Sequence, residues 1–495
     1  LKGSITLNPK TIMYTTKGKY SAKILQRGTD DYERCRSNNP SAATPERYPH
    51  EIHVVETTED VSKAIKRASE LGVSIGVRSS GHIFSLGAIV DDGIMIDTTN
   101  LNREAVYDRT TQEIHFGPAV RVEEISAKLA SVKRFFPHGH APTVAAGGFL
   151  LAGGQGWFVR GWGATSQTWI TKMEIVVPDG RVVTASRTKN RDLFWAARGS
   201  GLAFFGVVTK FWARTMRASN LWDRSLTFEL GDKYEELMTW AFESGNKTPQ
   251  WGTDLNMTIF YPEKYDPTLD TDEIPANAKL HMGLSLQAYA DTKAQASILL
   301  SAYDDIPSSI KDLLVEVKPL QASSFEHIYK KKRGLIGSAG QRWSILSMLN
   351  EPSLPLPQLI KAVKPALCEL PTRLSSAFMC ICDIKPDEDG DALLSMPQQY
   401  YISTITQWKD PGLEPDIYQH MRDRYKQALP AACGIYVADY DVTCDDSNGK
   451  VMSDIALEKF LKIRQRWDPQ ELFPNYKKII ATHQKVNNSV IKAKM

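Results

Sequence analysis

The sequence lacks the features that would tie it to several common classes of protein. Its six cysteines (Cys35, Cys368, Cys380, Cys382, Cys433 and Cys444) never form a CxxC pair, so no disulfide framework, zinc site or other metal site is expected. Charge of neither sign dominates: 60 Lys+Arg oppose 57 Asp+Glu, for a net +3. With no basic arm and no basic–aromatic repeat, nucleic acid is not expected as a partner. The longest uncharged run, 135–159, holds six glycines and two prolines. It would make a poor membrane helix and reads instead as a loop-rich ligand site. There is no G-x-G-x-x-G after the first strand, no G-x-x-x-x-G-K-[ST], no G-x-S-x-G and no H-E-x-x-H. The Rossmann fingerprint, the P-loop, the nucleophile elbow and the zincin site are thereby removed.

What is present is an ordinary globular composition, 42% hydrophobic and 24% charged over 495 residues, enough for two or three domains. A β-prone run at 52–55 precedes Thr57, Thr58, Glu59 and Asp60, a helix-start signal with carboxylates in the first turn. Val61, Ile65 and Ala68 recur at helical spacing until Gly72 stops the helix. A second strand over 73–77 then runs into Arg78-Ser79-Ser80-Gly81-His82. Further strands are predicted at 94–97, 113–116 and 206–211, an amphipathic helix at 120–129, and a hairpin of 170–177 with 181–185 around Pro178-Asp179-Gly180. From about 218 the pattern becomes that of an antiparallel sheet (226–230, 256–261, 279–289, 378–384) with helices at 233–242, 294–303 and 358–370. A last strand at 434–440 and a helix at 455–467 close the chain. The class expected is α+β, in three segments: 1–215, 216–430 and 431–495.

Two glycine-rich segments carry the chemistry. Arg78-Ser79-Ser80-Gly81-His82, followed by Ser85-Leu86-Gly87, ends a strand in small residues, so that successive backbone N–H groups can face one anion such as a diphosphate. Pro142-Thr143-Val144-Ala145-Ala146-Gly147-Gly148, continuing to Gly153-Gly154-Gln155-Gly156, offers a surface of bare backbone against which a flat polycyclic ligand can lie. The bland alternative for either segment alone is an ordinary tight turn.

These segments, with Ala141-Pro142-Thr143-Val144 and Gly153-Gly154-Gln155-Gly156-Trp157, resemble the FAD domain of the vanillyl-alcohol oxidase/p-cresol methylhydroxylase superfamily, in its berberine-bridge-enzyme-like branch. The likeness continues through 192–199 and Phe205-Gly206-Val207-Val208, and returns at Gly434-Ile435-Tyr436-Val437 and 467–473. It is dense over 45–215, partial over 430–475 and thin between. The resemblance implies a split FAD-binding domain (1–215 and 431–495) with an inserted antiparallel-sheet-plus-helices substrate domain. It also implies FAD held by Arg78, Ser79, Ser80, Gly81, His82, Ser85, Pro142, Thr143, Val144, Gly147, Gly148, Gly153, Gly154, Gly156, Trp157, Gly206 and Val208. His82 stands where the family links a histidine to the flavin 8α-methyl, whereas Ala141 stands where some members carry a second, cysteinyl linkage. A single covalent bond, through His82, is therefore expected.

Phe149, Gln155 and Ala438 depart from the family pattern, so family-typical substrates are not implied. The implied reaction is hydride removal from a small alcohol, amine or secondary metabolite to flavin N5, with oxygen as reoxidant, peroxide as product and oxidative cyclisation as one outcome. Val144 matches a small side chain that leaves room for oxygen. Tyr401 and Ser403 share one face of a predicted strand; with Tyr436 and Gln155 they are the candidate catalytic residues. A tyrosine acting as base needs a nearby positive charge to lower its pKa from about 10. His138 and His140 read either as facing flavin or substrate or as solvated loop histidines. The alternatives are a dehydrogenase with another electron acceptor and a flavin-fold scaffold or cyclase without redox turnover. No partner beyond a small molecule and oxygen is implied, and no membrane; the oligomeric state stays open. Residues 1–20 show no secretory signal, although a removed leader stays open, and Ala493-Lys494-Met495 loosely resembles a peroxisomal address.

Overall fold

The computed structural model describes residues 20, 23–266, 268–333, 340–386, 390–443 and 449–494. Residues 1–19 of the signal reading, Cys444 and Met495 of the tail address lie outside the described residues. Strands Glu51–Val54, Ile94–Asp97 and Ile75–Arg78 pair in parallel in that order, with Ile24–Gln26 antiparallel on the outer edge. The crossover helix Thr58–Leu71 starts at a Thr57/Asp60 capping box and ends at Gly72, whose φ of 66° favours glycine. It buries Val61, Ala64, Ile65 and Ala68, the stripe expected from the sequence. This packing fixes where Ile75–Arg78 ends, and so where the Ser79-Ser80-Gly81-His82 loop begins.

A second, antiparallel sheet orders Val106–Asp108, Glu113–Phe116, Val207–Arg214, Ile170–Val176 and Val182–Ser186. The end of the chain returns to this unit. Phe460, on helix Asp454–Trp467, packs its ring 5.4 Å from Phe205. The Ile75 amide donates to the Leu472 carbonyl at 2.7 Å. One hydrophobic core therefore joins residues between 55 and 213 to residues between 435 and 479.

The largest sheet is antiparallel, in the order Leu314–Ser323, Asn220–Glu229, His281–Ala290, Thr253–Phe260, Ser376–Ile384, Gln398–Trp408, Arg342–Asn350, Ala432–Gly434. Helices Tyr234–Lys247, Leu356–Cys368 and Glu414–Ala428 cover one face, sharing a core with Met348, Tyr400 and Ile402. Because side chains alternate along a strand, Tyr401, Ser403, Ile405 and Gln407 point to the opposite face.

Several elements differ from the sequence reading. The 434–440 segment is not a strand: pairing stops at Gly434, and Val437–Asp439 forms a 3-10 turn. Within the loop-rich 135–159 run, Ala146–Leu151 is a short helix that was not anticipated. The 294–303 helix stops at Leu299 and continues as a 3-10 turn. Leu314–Ser323 escaped notice because it is an exposed edge strand with little apolar alternation. Phe325–Arg333, Arg342–Asn350, Glu414–Ala428 and Tyr476–Lys494 were also not anticipated. Among the described residues no helix is long and apolar enough to cross a membrane.

Candidate active site

A cavity of about 1430 Å³ runs between the two glycine-rich segments and the open face of the large sheet. On one side it is walled by Ser79, Ser80, Gly81 and His82, by Val144, Gly147, Gly148, Gln155 and Trp157, and by Gly206 and Val208. Tyr401, Ser403 and Tyr436 face them. Ser85, Pro142, Thr143, Gly153, Gly154 and Gly156 do not line the cavity. A Cβ on Gly156 would sit 2.2 Å from the Pro137 carbonyl oxygen, so only glycine lets these two backbones approach. At Gly148, by contrast, a Cβ would meet nothing within 4 Å.

Arg78 borders the cavity, yet its guanidinium is turned into the fold. It pairs with Asp97, donating from Nε at 3.0 Å, and donates to the Cys35 carbonyl at 2.7 Å. With Arg78 2% and Asp97 1% exposed, this is a buried ion pair that anchors the loop rather than a hand held out to a ligand. At the far end of that loop, burial, with a smaller contribution from the nearby Arg121 charge, pushes the His82 pKa down to about 4. Its imidazole is therefore neutral and keeps a lone pair throughout the physiological range.

Tyr401 donates a hydrogen bond to Asp439 Oδ2 at 2.8 Å, and its ring lies edge-on to Tyr436, 6.0 Å between centroids. Burial raises the Asp439 pKa to about 6. Burial, and then the Asp439 charge, hold the Tyr401 hydroxyl well above its ordinary value. Beside Tyr401 stands a carboxylate rather than the cation that would favour its phenolate form. Ser403 Oγ donates to the Phe378 carbonyl at 3.1 Å, and Gln155 Nε2 to Gln398 Oε1 at 2.7 Å, so both are positioned by neighbouring strands. Tyr436 is 9% exposed, and burial raises its hydroxyl as well.

His138 and His140 are not solvated loop histidines. His138 Nδ1 lies 2.6 Å from the Tyr329 hydroxyl, and burial lowers its pKa to about 3. His140 Nε2 sits 3.1 Å from both carboxylate oxygens of Asp254, and its ring packs on Trp157. Of the two, His140 reaches the cavity.

The model of an FAD binding domain matches residues 49–186, the segment that carries both glycine-rich loops. An FAD-linked oxidoreductase of Hypoxylon pulicicidum, nodO, is 26% identical over 456 residues, 89% of this chain and 93% of that protein. A xylooligosaccharide oxidase of Thermothelomyces thermophilus is 34% identical over 198 residues, 40% of this chain and 37% of that protein. The matched segment is an FAD-binding domain, and the relatives are named as FAD-linked oxidoreductases and oligosaccharide oxidases. The fold of 6-hydroxy-D-nicotine oxidase from Arthrobacter nicotinovorans superimposes on this flavoprotein with a TM-score of 0.75, over 92% of this chain and 97% of that one. At 17% identity that likeness is one of fold alone.

The residues present fit FAD. Drug-sized ligands occupy pockets of roughly 300–1,000 Å³, and this larger cavity has room for a dinucleotide cofactor together with a substrate. Gly81, with φ of 69° between Ser80 and His82, supplies the backbone reversal of an anion nest. The open face of Gly148 leaves bare backbone toward the cavity.

Asp439 was missing from the sequence reading. It lies three residues after Tyr436, in a segment taken for a strand, where alternation would have turned Tyr436 and Asp439 to opposite faces. Only the 3-10 turn carries the carboxylate back to Tyr401. The His140–Asp254 pair was equally hidden, since 114 residues separate its members.

Proposed function

We propose that this protein is an FAD-dependent oxidase of a hydroxyl-bearing small molecule, with residues 1–215 and 431–495 holding the cofactor and 216–430 facing the substrate. The observation that carries this reading is the Tyr401–Asp439 pair on the cavity wall. FAD, when bound, accepts the hydride leaving the substrate carbon and passes the electrons to oxygen, giving peroxide. The alcohol proton goes to Tyr401 Oη as the Tyr401 proton moves to Asp439, so the substrate becomes a carbonyl compound and the carboxylate ends protonated. An acceptor with a pKa of about 6 is mostly ionised at neutral pH yet basic enough to take that proton. Neutral His82 is suited to a single covalent attachment of the cofactor, while Ala141 has no nucleophile to offer a second. Val144 on the cavity wall leaves space for oxygen, which favours an oxidase over a dehydrogenase. The resemblance to a xylooligosaccharide oxidase supports an alcohol as donor.

The test is anaerobic mixing of the yellow enzyme with panels of sugars, alcohols and amines, followed by readmission of air and peroxide assay. Bleaching by a hydroxyl compound and sub-second recovery with peroxide support the reading. Recovery on the scale of seconds or slower points to a dehydrogenase that uses another acceptor. No bleaching by any donor favours a scaffold or cyclase without redox turnover.

A further inference from the structure

The cavity-facing row on Gln398–Trp408 runs Tyr401, Ser403, Ile405, Gln407 and ends at an unused basic group. Six residues at about 3.3 Å each place Gln407 about 20 Å along the strand from Tyr401. Gln407 Oε1 and Ser376 Oγ accept hydrogen bonds from Lys264 Nζ at 2.7 and 2.9 Å. An ammonium has three N–H donors, so these two neutral acceptors leave one donor over. Lys264 itself lines the cavity, and among the described residues no carboxylate lies within ion-pair distance of it. The cavity's own carboxylates are engaged elsewhere: Asp223 with Gln287, Glu316 with Lys318, Asp439 with Tyr401. Trp343 is the cross-strand partner of Gln407 and also lines the cavity. A basic group held by neutral acceptors, partly desolvated and without a counter-charge, is stabilised by an anionic ligand.

We propose that Lys264, fixed by Ser376 and Gln407, is the anchor for a carboxylate carried by the substrate at the end remote from the carbon that is oxidised. The proposal rests on the oxidase reading for which end of the substrate reacts, and it narrows that substrate to an elongated hydroxy acid. Burial alone lowers the lysine pKa to about 7, so a bound carboxylate also draws a proton onto Lys264 from neutral or mildly alkaline solution.

The test uses the FAD-loaded enzyme, calorimetric titration at pH 8 in two buffers of different ionisation heat, and two probe pairs: dodecanoate with dodecanamide, and 4-phenylbenzoate with its amide. The acid of at least one pair is expected to bind tenfold or more tighter than its amide, with uptake of close to one proton. Lys264→Met is expected to bring acid and amide within about twofold and abolish the uptake, while Lys264→Arg keeps the preference. Equal binding of acid and amide by the wild-type enzyme, or no acid binding at millimolar concentration, overturns the proposal. So does a preference retained in Lys264→Met, or loss of flavin from that variant, which would give the lysine to the cofactor instead. If Lys264→Met does not fold, the wild-type acid-to-amide ratio and proton uptake still decide. Binding is read without turnover, so failure of the anchor leaves the oxidase reading standing, and an enzyme that oxidises none of its candidate donors can still bind the acid.

Discussion

Arg78 and Asp97 occupy paired positions at the ends of two parallel strands, and their buried side chains form an ion pair directly behind the loop that leads to His82. Each charge is affordable in the core only because the other is there. Removing one partner leaves an uncompensated buried charge, a loss of about 3–5 kcal/mol. Asp97→Ala is therefore expected to lower the urea midpoint strongly, and to reduce the flavin retained on purification in proportion to the unfolded fraction. A variant of wild-type stability that still binds flavin would remove the anchoring role.

The Tyr401–Asp439 pair predicts a specific acid limb. Asp439 must be ionised to take up the substrate proton, so kcat/KM for an identified donor should rise with pH through about 6 and then level off. Asp439→Asn keeps the shape but loses the basicity, and a fall of about 10²–10⁴ in the rate of flavin reduction is expected. Tyr401→Phe should cost a similar factor while leaving the flavin bound. An unchanged acid limb in Asp439→Asn would assign it to another group.

The covalent linkage is checked by precipitating the protein in acid and reading absorbance at about 450 nm in pellet and supernatant. Wild-type colour is expected in the pellet, and colour from His82→Ala in the supernatant. Colour released from the wild type means that FAD binds without the bond.

Two glycines in the same run should respond oppositely. Gly156→Ala drives a Cβ against the Pro137 carbonyl and is expected to cost about 1–3 kcal/mol, read as a lower melting temperature. Gly148→Ala meets no protein atom and sits in the helix Ala146–Leu151, so its melting temperature without flavin should equal or exceed the wild type. Any deficit in that variant should appear in flavin binding alone. Equal melting losses in both would mean that Gly148 supports the wall rather than opening onto the cavity.

Much of the cofactor half was legible from residue order because its determinants are local. Thr57 and Asp60 cap a helix, Gly72 ends it, and a small-residue loop must follow the strand that the helix positions. The same is true of Tyr401 and Ser403, whose shared face follows from strand periodicity alone. Arg78 shows the limit of that reading: its place in the loop was plain, but Asp97, 19 residues on, determines that the guanidinium points inward.

The sequence by itself determined the strand–helix–strand units and the glycine-rich turns, since each depends on neighbours along the chain and on which residues tolerate bare backbone. The split FAD domain and the candidate linkage at His82 came from its resemblance to a family. Only the tertiary structure decided the chemistry around them. The pairings of Asp439 with Tyr401, Asp254 with His140, and Ser376 and Gln407 with Lys264 join residues 38 to 143 positions apart. The pKa values that matter arise from burial and from those partners, and no local pattern encodes which distant side chain the folded sheet brings to the cavity wall.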